Sequence, residues 1–350
     1  MKASITMVEL FKRIHTLRSN KISSLPIAIL MPHSGCNCRC IMCDIWKGNK
    51  FKIELTESDI LPISQTLRKL NTQEVVMSGG EAILNSNFFK LCKILKGNNV
   101  KITLLSTGIG LERYIPEIIR WVDSLIVSLD GDASIHNKIR AVPNAFSKLE
   151  TSIHAIKSKY PSYPISARTV IHRENYKIWK DIIYTAQKLS LDSISFLPAD
   201  ISSQAFNRLE TWDIKRQNEV LVPLEELPQL EEVMKEIMAM QDQIQWKGFI
   251  VENAKKLWDI FRYYSAIHGL GTFPYKKCNA PWVSTVIEAD GTVRPCFFLE
   301  SLGNIRSNSL LEILNSEKAV QFRKDLDPEM NETCKRCVCS LNLSPLKNIN

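Results

Sequence analysis

The chain has 350 residues, 45% of them hydrophobic and 23% charged, which excludes a disordered tract and allows one large domain plus a smaller one. Its net charge of +8 is carried by lysines scattered through helical segments, the pattern of a solvated surface or an acidic partner, and calls for no nucleic acid. Ten cysteines in so long a chain exclude a small disulfide-stapled scaffold. No apolar run reaches membrane-spanning length, and the charged N-terminus lacks a signal-peptide core. A cytoplasmic, reducing location without a membrane partner is expected, where clustered cysteines mean metal.

Residues 1–25 have room for one amphipathic helix, about Ser4–Leu17, and no peptide-recognition domain is expected ahead of residue 26. From there short apolar runs alternate with longer amphipathic ones. Strands are expected at Pro26–Met31, Glu74–Ser78, Lys101–Ser106, Ser124–Leu129, Ile165–Ile171 and Ser193–Leu197. Helices are expected at Ser58–Leu70, Asn87–Leu95, Leu111–Trp121, Ala145–Lys159 and Tyr176–Leu189. Strands apolar on both faces indicate a buried parallel sheet built of βαβ units with right-handed crossovers. Six units make either an open doubly wound α/β sheet or an incomplete barrel, and in both, function gathers where the strands end.

The pattern changes after Asp200. A helix at Leu224–Gln241 with an acidic front is followed by an aromatic-rich one at Val251–Ile267. A hairpin, Val283–Ala289 and Thr292–Phe298 about an Asp290-Gly291 turn, then opens a second cysteine system. The expected division is 1–25, a first domain at 26–240, a helical linker at 241–275 and a cysteine-rich domain at 276–350.

Three cysteines after the first strand, Cys36, Cys40 and Cys43, have the spacing C-x3-C-x2-C. Three thiolates hold three irons of a cubane [4Fe–4S] cluster and leave the fourth iron open, which points to chemistry at the metal. Zinc is the alternative, with Cys38 as fourth ligand. Cys38 does not fit the cluster spacing and is expected to point away; Cys92, in an amphipathic helix, is expected in the core. The ends of the later strands carry Ser78-Gly79-Gly80-Glu81, Ser106-Thr107-Gly108, Ser128-Leu129-Asp130-Gly131, Arg168 and Asp200.

The cysteine spacing, Gly-Gly-Glu after the second strand, and Ser-x-Asp-Gly followed by His136 and Arg140 together resemble radical S-adenosylmethionine (SAM) enzymes. The resemblance implies a partial (β/α)6 TIM-like barrel and a cluster whose open iron takes the amino and carboxylate groups of SAM. An electron from the reduced cluster then yields a 5′-deoxyadenosyl radical that abstracts hydrogen from substrate, and the protein supplies position and excludes water. A reductant such as flavodoxin or ferredoxin is implied. Gly79 and Gly80 would let the backbone approach SAM, Glu81 would accept from its ammonium, Ser128 and Asp130 would hold the ribose, and Arg168 the carboxylate. Met42 replaces the aromatic residue frequent before the third cysteine, which makes any adenine contact there a thioether one. Ala82 and Thr107 also depart from the family pattern, at positions where proline and asparagine are common.

Cys278, Cys296, Cys334 and Cys337 can ligate one complete [4Fe–4S] cluster, with zinc again the alternative. They are similar to the SPASM and twitch auxiliary-cluster extensions of the same family. Only Cys339 remains beyond them, so the shorter, one-cluster version is expected, with Cys339 able to replace a neighbour. A fully ligated cluster would take or relay an electron from the substrate radical, giving net oxidation. The sequence leans toward dehydrogenation of a sugar- or cyclitol-like molecule. Peptide modification is the second reading, and a non-catalytic iron–sulfur or zinc protein the third. The catalytic side chains are not identified; candidates for touching substrate are His33, His172, Asp200, Tyr263, Tyr264 and Arg294.

Overall fold

The computed structural model describes residues 5–208, 210–241, 243 and 246–347. The first helix, α1 (Met7–Ser19), is capped by the Thr6 hydroxyl and ends at Asn20 in the left-handed region. Ser4, where that helix was expected to start, lies outside the described residues.

Six strands with helices between them follow: β1 (Ile27–Leu30), α2 (Glu57–Lys69), β2 (Glu74–Met77), α3 (Phe88–Lys96), β3 (Lys101–Ser106), α4 (Ile115–Trp121), β4 (Ser124–Ser128), α5 (Ala133–Arg140), α6 (Ala145–Lys159), β5 (Ile165–Ile171), α7 (Trp179–Lys188) and β6 (Ser193–Pro198). The helix expected over 111–121 is split, because Pro116 near the start of α4 leaves Leu111–Tyr114 as a separate tight turn. Cys92 is fully buried on α3, as expected.

Every strand from β1 to β6 pairs in parallel with the next one in sequence. A doubly wound sheet reverses its strand order part-way. The run from β1 to β6 does not reverse, as in the partial barrel. Val75, Met77, Ile102, Leu104, Leu125, Val127 and Ile165 are all buried in it. Each such side chain contributes about 1.5–3 kcal/mol on leaving water.

Four helices follow β6: α8 (Ile214–Asn218), α9 (Leu227–Gln241), α10 (Ala254–Ile267) and α11 (Ala280–Val283). Strand β7 (Ser284–Ile287) then pairs in parallel with β1, and β8 (Thr292–Arg294) and β9 (Gly303–Asn304) continue antiparallel. The expected hairpin therefore extends the barrel's own sheet. Gly291 turns it with φ +87°, where an added Cβ would lie 2.7 Å from the Asn304 side chain. The chain closes with α12 (Leu310–Asn315), α13 (Glu317–Asp325) and α14 (Glu332–Lys335).

Candidate active site

At the carboxyl ends of β1 and β2 two loops lock together. The Gly35 carbonyl accepts the Glu81 N–H at 3.0 Å. A Cβ on Gly80 would stand 2.1 Å from that same carbonyl oxygen. Gly80 is thus required by close approach of the cysteine loop, in addition to its place beside the cavity. Asn49 ties the loop from its far end, accepting the Cys36 N–H at 2.8 Å and donating to the Cys36 carbonyl at 3.0 Å.

Cys36, Cys40 and Cys43 line one cavity of about 200 Å³ with Met42, Gly79, Gly80, Ser128 and Arg168. Two of the sulfurs face backbone amides, Cys36 Sγ the Cys38 N–H and Cys43 Sγ the Ile45 N–H, each at 3.4 Å. Cys40 Sγ faces the Arg140 guanidinium at 3.4 Å. Contact with the Cys38 thiol and the positive charge of Arg140 hold Cys40 down to about 7, against the opposing effect of burial. Burial pushes Cys43 up to about 12. Three gathered sulfurs with amide and guanidinium donors fit an iron–sulfur cluster, whose sulfurs take such hydrogen bonds.

Cys38 corrects one expectation. It does not point away but lines the same cavity as Cys36, Cys40 and Cys43. The residue is fully buried, and its amide bonds Cys36 Sγ.

Two carboxylates are spent inside the protein rather than toward the cavity. Glu81 is fully buried and accepts from the Ser106 hydroxyl at 2.8 Å and the Thr107 N–H at 2.7 Å; burial raises its pKa. Asp130 Oδ2 accepts from Arg140 Nε at 2.6 Å. His136, one turn before Arg140 on α5, accepts the Asp130 N–H and is held near 4 by burial. Neither Glu81 nor Asp130 is among the residues lining the cavity. Arg168 does line it, and its Nε donates to Ser195 Oγ at 3.2 Å.

The segment after β6 covers this mouth. Asp200 lines the cavity while its Oδ2 accepts from Arg208 at 2.7 Å and Ser203 at 2.5 Å. Arg208 packs 3.8 Å from the Trp212 ring, and the Trp212 indole donates to Asp44 in the cysteine loop at 2.8 Å. The Arg208 and Phe206 contributions were not foreseen, because the tether from Trp212 to Asp44 spans 168 positions.

Cys278, Cys296, Cys334 and Cys337 meet in a second cavity, and Cys339 lines it too. The Asn331 side chain caps α14 at the Cys334 N–H, and Lys276 donates to the Cys337 carbonyl. Val338 lines the first cavity while Cys337 and Cys339 line the second, so one short stretch of chain touches both.

A third space, about 390 Å³, runs between them. It shares Ile45, Gly80 and Phe206 with the first cavity and Phe298 and Leu299 with the second. His33 and Arg294 line it, and Phe206, Phe297 and Phe298 form an edge-to-face cluster with centroids 4.8–6.2 Å apart. The remaining substrate candidates are core residues: His172, Tyr263 and Tyr264 are fully buried. Tyr264 donates to the Ile171 carbonyl at 2.5 Å, and burial holds His172 near 4.

Comparison with known families matches residues 30–185 to the Radical SAM superfamily and residues 278–338 to the SPASM iron-sulfur cluster-binding domain. The chain belongs to the radical SAM superfamily. This radical SAM protein accordingly binds SAM, a [4Fe–4S] cluster and auxiliary iron–sulfur. It is 22% identical over 327 residues to the sporulation killing factor maturation protein SkfB of Bacillus subtilis, covering 92% of this chain and 71% of that one. It is 21% identical over 340 residues to AlbA, the antilisterial bacteriocin subtilosin biosynthesis protein of the same organism, covering 93% and 68%. Its fold is similar to that of Streptococcus suis SuiB, solved with precursor peptide SuiA, at TM-score 0.64 and 13% identity, covering 96% and 77%. No described helix is long and apolar enough to cross a membrane.

Proposed function

We propose that this radical SAM enzyme oxidises a peptide, with Cys36, Cys40 and Cys43 holding the SAM cluster and Cys278, Cys296, Cys334 and Cys337 holding a single auxiliary one. Residues 26–240 would form the SAM domain and 276–350 the auxiliary domain, joined by 241–275 and preceded by the helix of 1–25. When bound, the cluster and SAM supply the radical that removes a hydrogen atom from substrate.

The residues of the chain then have separate tasks. Met42, Gly79, Gly80, Ser128 and Arg168 surround SAM, the guanidinium of Arg168 matching a carboxylate. Glu81 acts through Ser106 and Thr107, fixing the loop after β3, and Asp130 acts through Arg140. The Phe206 segment shields the mouth from water.

The groove carries the choice of a peptide. It adjoins both cysteine sites, with the Phe206, Phe297 and Phe298 cluster on one wall and polar side chains such as His33, Asn207 and Arg294 on the rest. An extended chain laid in it would bring one residue to the cluster cavity and leave its flanks held. Kinship with proteins named for maturing a killing factor and making a bacteriocin supports the same reading. The sugar- or cyclitol-like substrate, toward which the sequence leans, becomes the second reading; a relative named for a small-molecule substrate, the S-adenosylmethionine-dependent nucleotide dehydratase of Lacinutrix mariniflava, is 23% identical over 215 residues, covering 59% of this chain and 42% of that one.

The test is incubation of the reduced, reconstituted enzyme with SAM and peptides encoded beside its gene, uniformly deuterated. Deuterium in 5′-deoxyadenosine and a peptide lighter by two hydrogens are expected. Transfer only from small carbohydrates would establish the second reading instead.

A further inference from the structure

The outer side of the cysteine loop has a cationic face that the chemistry above does not use. Between residues 38 and 53, Arg39, Lys47, Lys50 and Lys52 are exposed. The only acid in that stretch, Asp44, is buried, with Lys47 at 3.0 Å and the Trp212 indole at 2.8 Å. Among the described residues, Arg39, Lys50 and Lys52 pair with no carboxylate, so three of the four charges are uncompensated.

Beside two of these charges lies Trp46. The charges of Arg39 and Lys47 each stand 6.0 Å from its ring centroid. Its indole N–H donates to the Cys43 carbonyl at 2.8 Å, and its side chain also lines the cluster cavity. A half-buried aromatic ring thus connects two of the cations to the backbone of a cysteine proposed to hold iron. Phe51, 73% exposed between Lys50 and Lys52, also lines the proposed peptide groove and marks where the cationic face borders it.

We propose that this face docks an acidic one-electron carrier protein and that electrons enter the cluster past Trp46. The inference rests on the cluster assignment made above. In the transfer the carrier, for example a flavodoxin passing from hydroquinone to semiquinone, is oxidised by one electron and the cluster reduced by one. Charge complementarity of this kind raises encounter rates by about 10–10³ and fades with salt. Electron-transfer contacts are small and transient, which one loop and its borders can supply.

The experiment uses the reconstituted full-length holoenzyme and follows bleaching of the cluster in stopped flow. Purified bacterial flavodoxin hydroquinone and dithionite serve as the two reductants. For Lys50→Glu/Lys52→Glu, and for the same pair with Lys47→Gln, the flavodoxin rate constant is expected to fall roughly tenfold or more and lose its salt dependence. Dithionite reduction and iron content stay at wild-type values. An unchanged flavodoxin rate overturns the proposal. So does an equal loss with both reductants, which would make the face part of the loop's fold, and so does normal reduction with loss of peptide binding alone, which would assign the face to substrate. A wild-type protein with no reducible cluster would overturn the cluster assignment as well.

Discussion

Arg140 Nη1 stands 3.4 Å from Cys40 Sγ while Nη2 of the same guanidinium is 2.5 Å from Asp130 Oδ2. Both charges are buried, so the positive one is held against the sulfur proposed to bind the cluster by the negative one behind it. The Asp-Gly after β4 and the Arg140 of α5 therefore act as one unit on the metal site.

Adding an electron to a cluster adds negative charge, which a neighbouring cation favours. Arg140→Gln should lower the midpoint potential of the SAM cluster by on the order of tens of millivolts, and Arg140→Lys by less. An EPR-monitored redox titration reads this directly. An unchanged potential in Arg140→Gln would leave the guanidinium a purely structural part.

Asp130→Asn leaves Arg140 buried without its partner. Breaking such a pair costs about 3–5 kcal/mol, so the urea midpoint should drop visibly. The double variant Asp130→Asn/Arg140→Gln should recover part of the loss, because no buried charge is then stranded. Additive losses would contradict the pairing.

Gly80→Ala places a methyl 2.1 Å from the Gly35 carbonyl oxygen, and backbone has no rotamer with which to yield. The cysteine loop must shift. Reconstituted iron should fall from about eight atoms per chain, the content of two cubane clusters, to about four, the auxiliary set alone. Full iron in this variant would show the two loops to be less tightly coupled than the geometry requires.

His136 and His172 are both held near 4 by burial, below the ordinary 6.5. A depressed folded-state value means that the unfolded chain takes up the proton first. The stability these residues contribute is present above pH 6.5 and is lost as pH falls from 6.5 toward 4, on the order of 3 kcal/mol each. Urea midpoints across that window should fall steeply, and less steeply in His136→Gln. A flat profile would show that one or both rings are protonated in the native state.

Much of this was legible in the chain itself. Strand positions followed from Val, Ile and Leu runs such as Glu74–Met77 and Ser124–Ser128, which lie within the expected ranges. The strand order did not, because whether six units wind once or twice is a matter of pairing between distant segments. The cysteine spacing and Gly-Gly-Glu announced a metal and its neighbour. The direction in which the carboxylates of Glu81 and Asp130 point was hidden, since their partners Ser106, Thr107 and Arg140 lie 25, 26 and 10 positions away. The groove was equally hidden: its walls come from residues 31–53, Gly80, 204–208 and 288–300, and only folding makes them adjacent.

The central claim is that the loop of Cys36, Cys40 and Cys43 holds the cluster that cleaves SAM. Anaerobic incubation of the reduced, reconstituted protein with SAM, quantifying 5′-deoxyadenosine and methionine, tests it most directly. Equal amounts of the two products from wild type and none from Cys40→Ala are predicted. Cleavage that survives in Cys40→Ala would contradict the account.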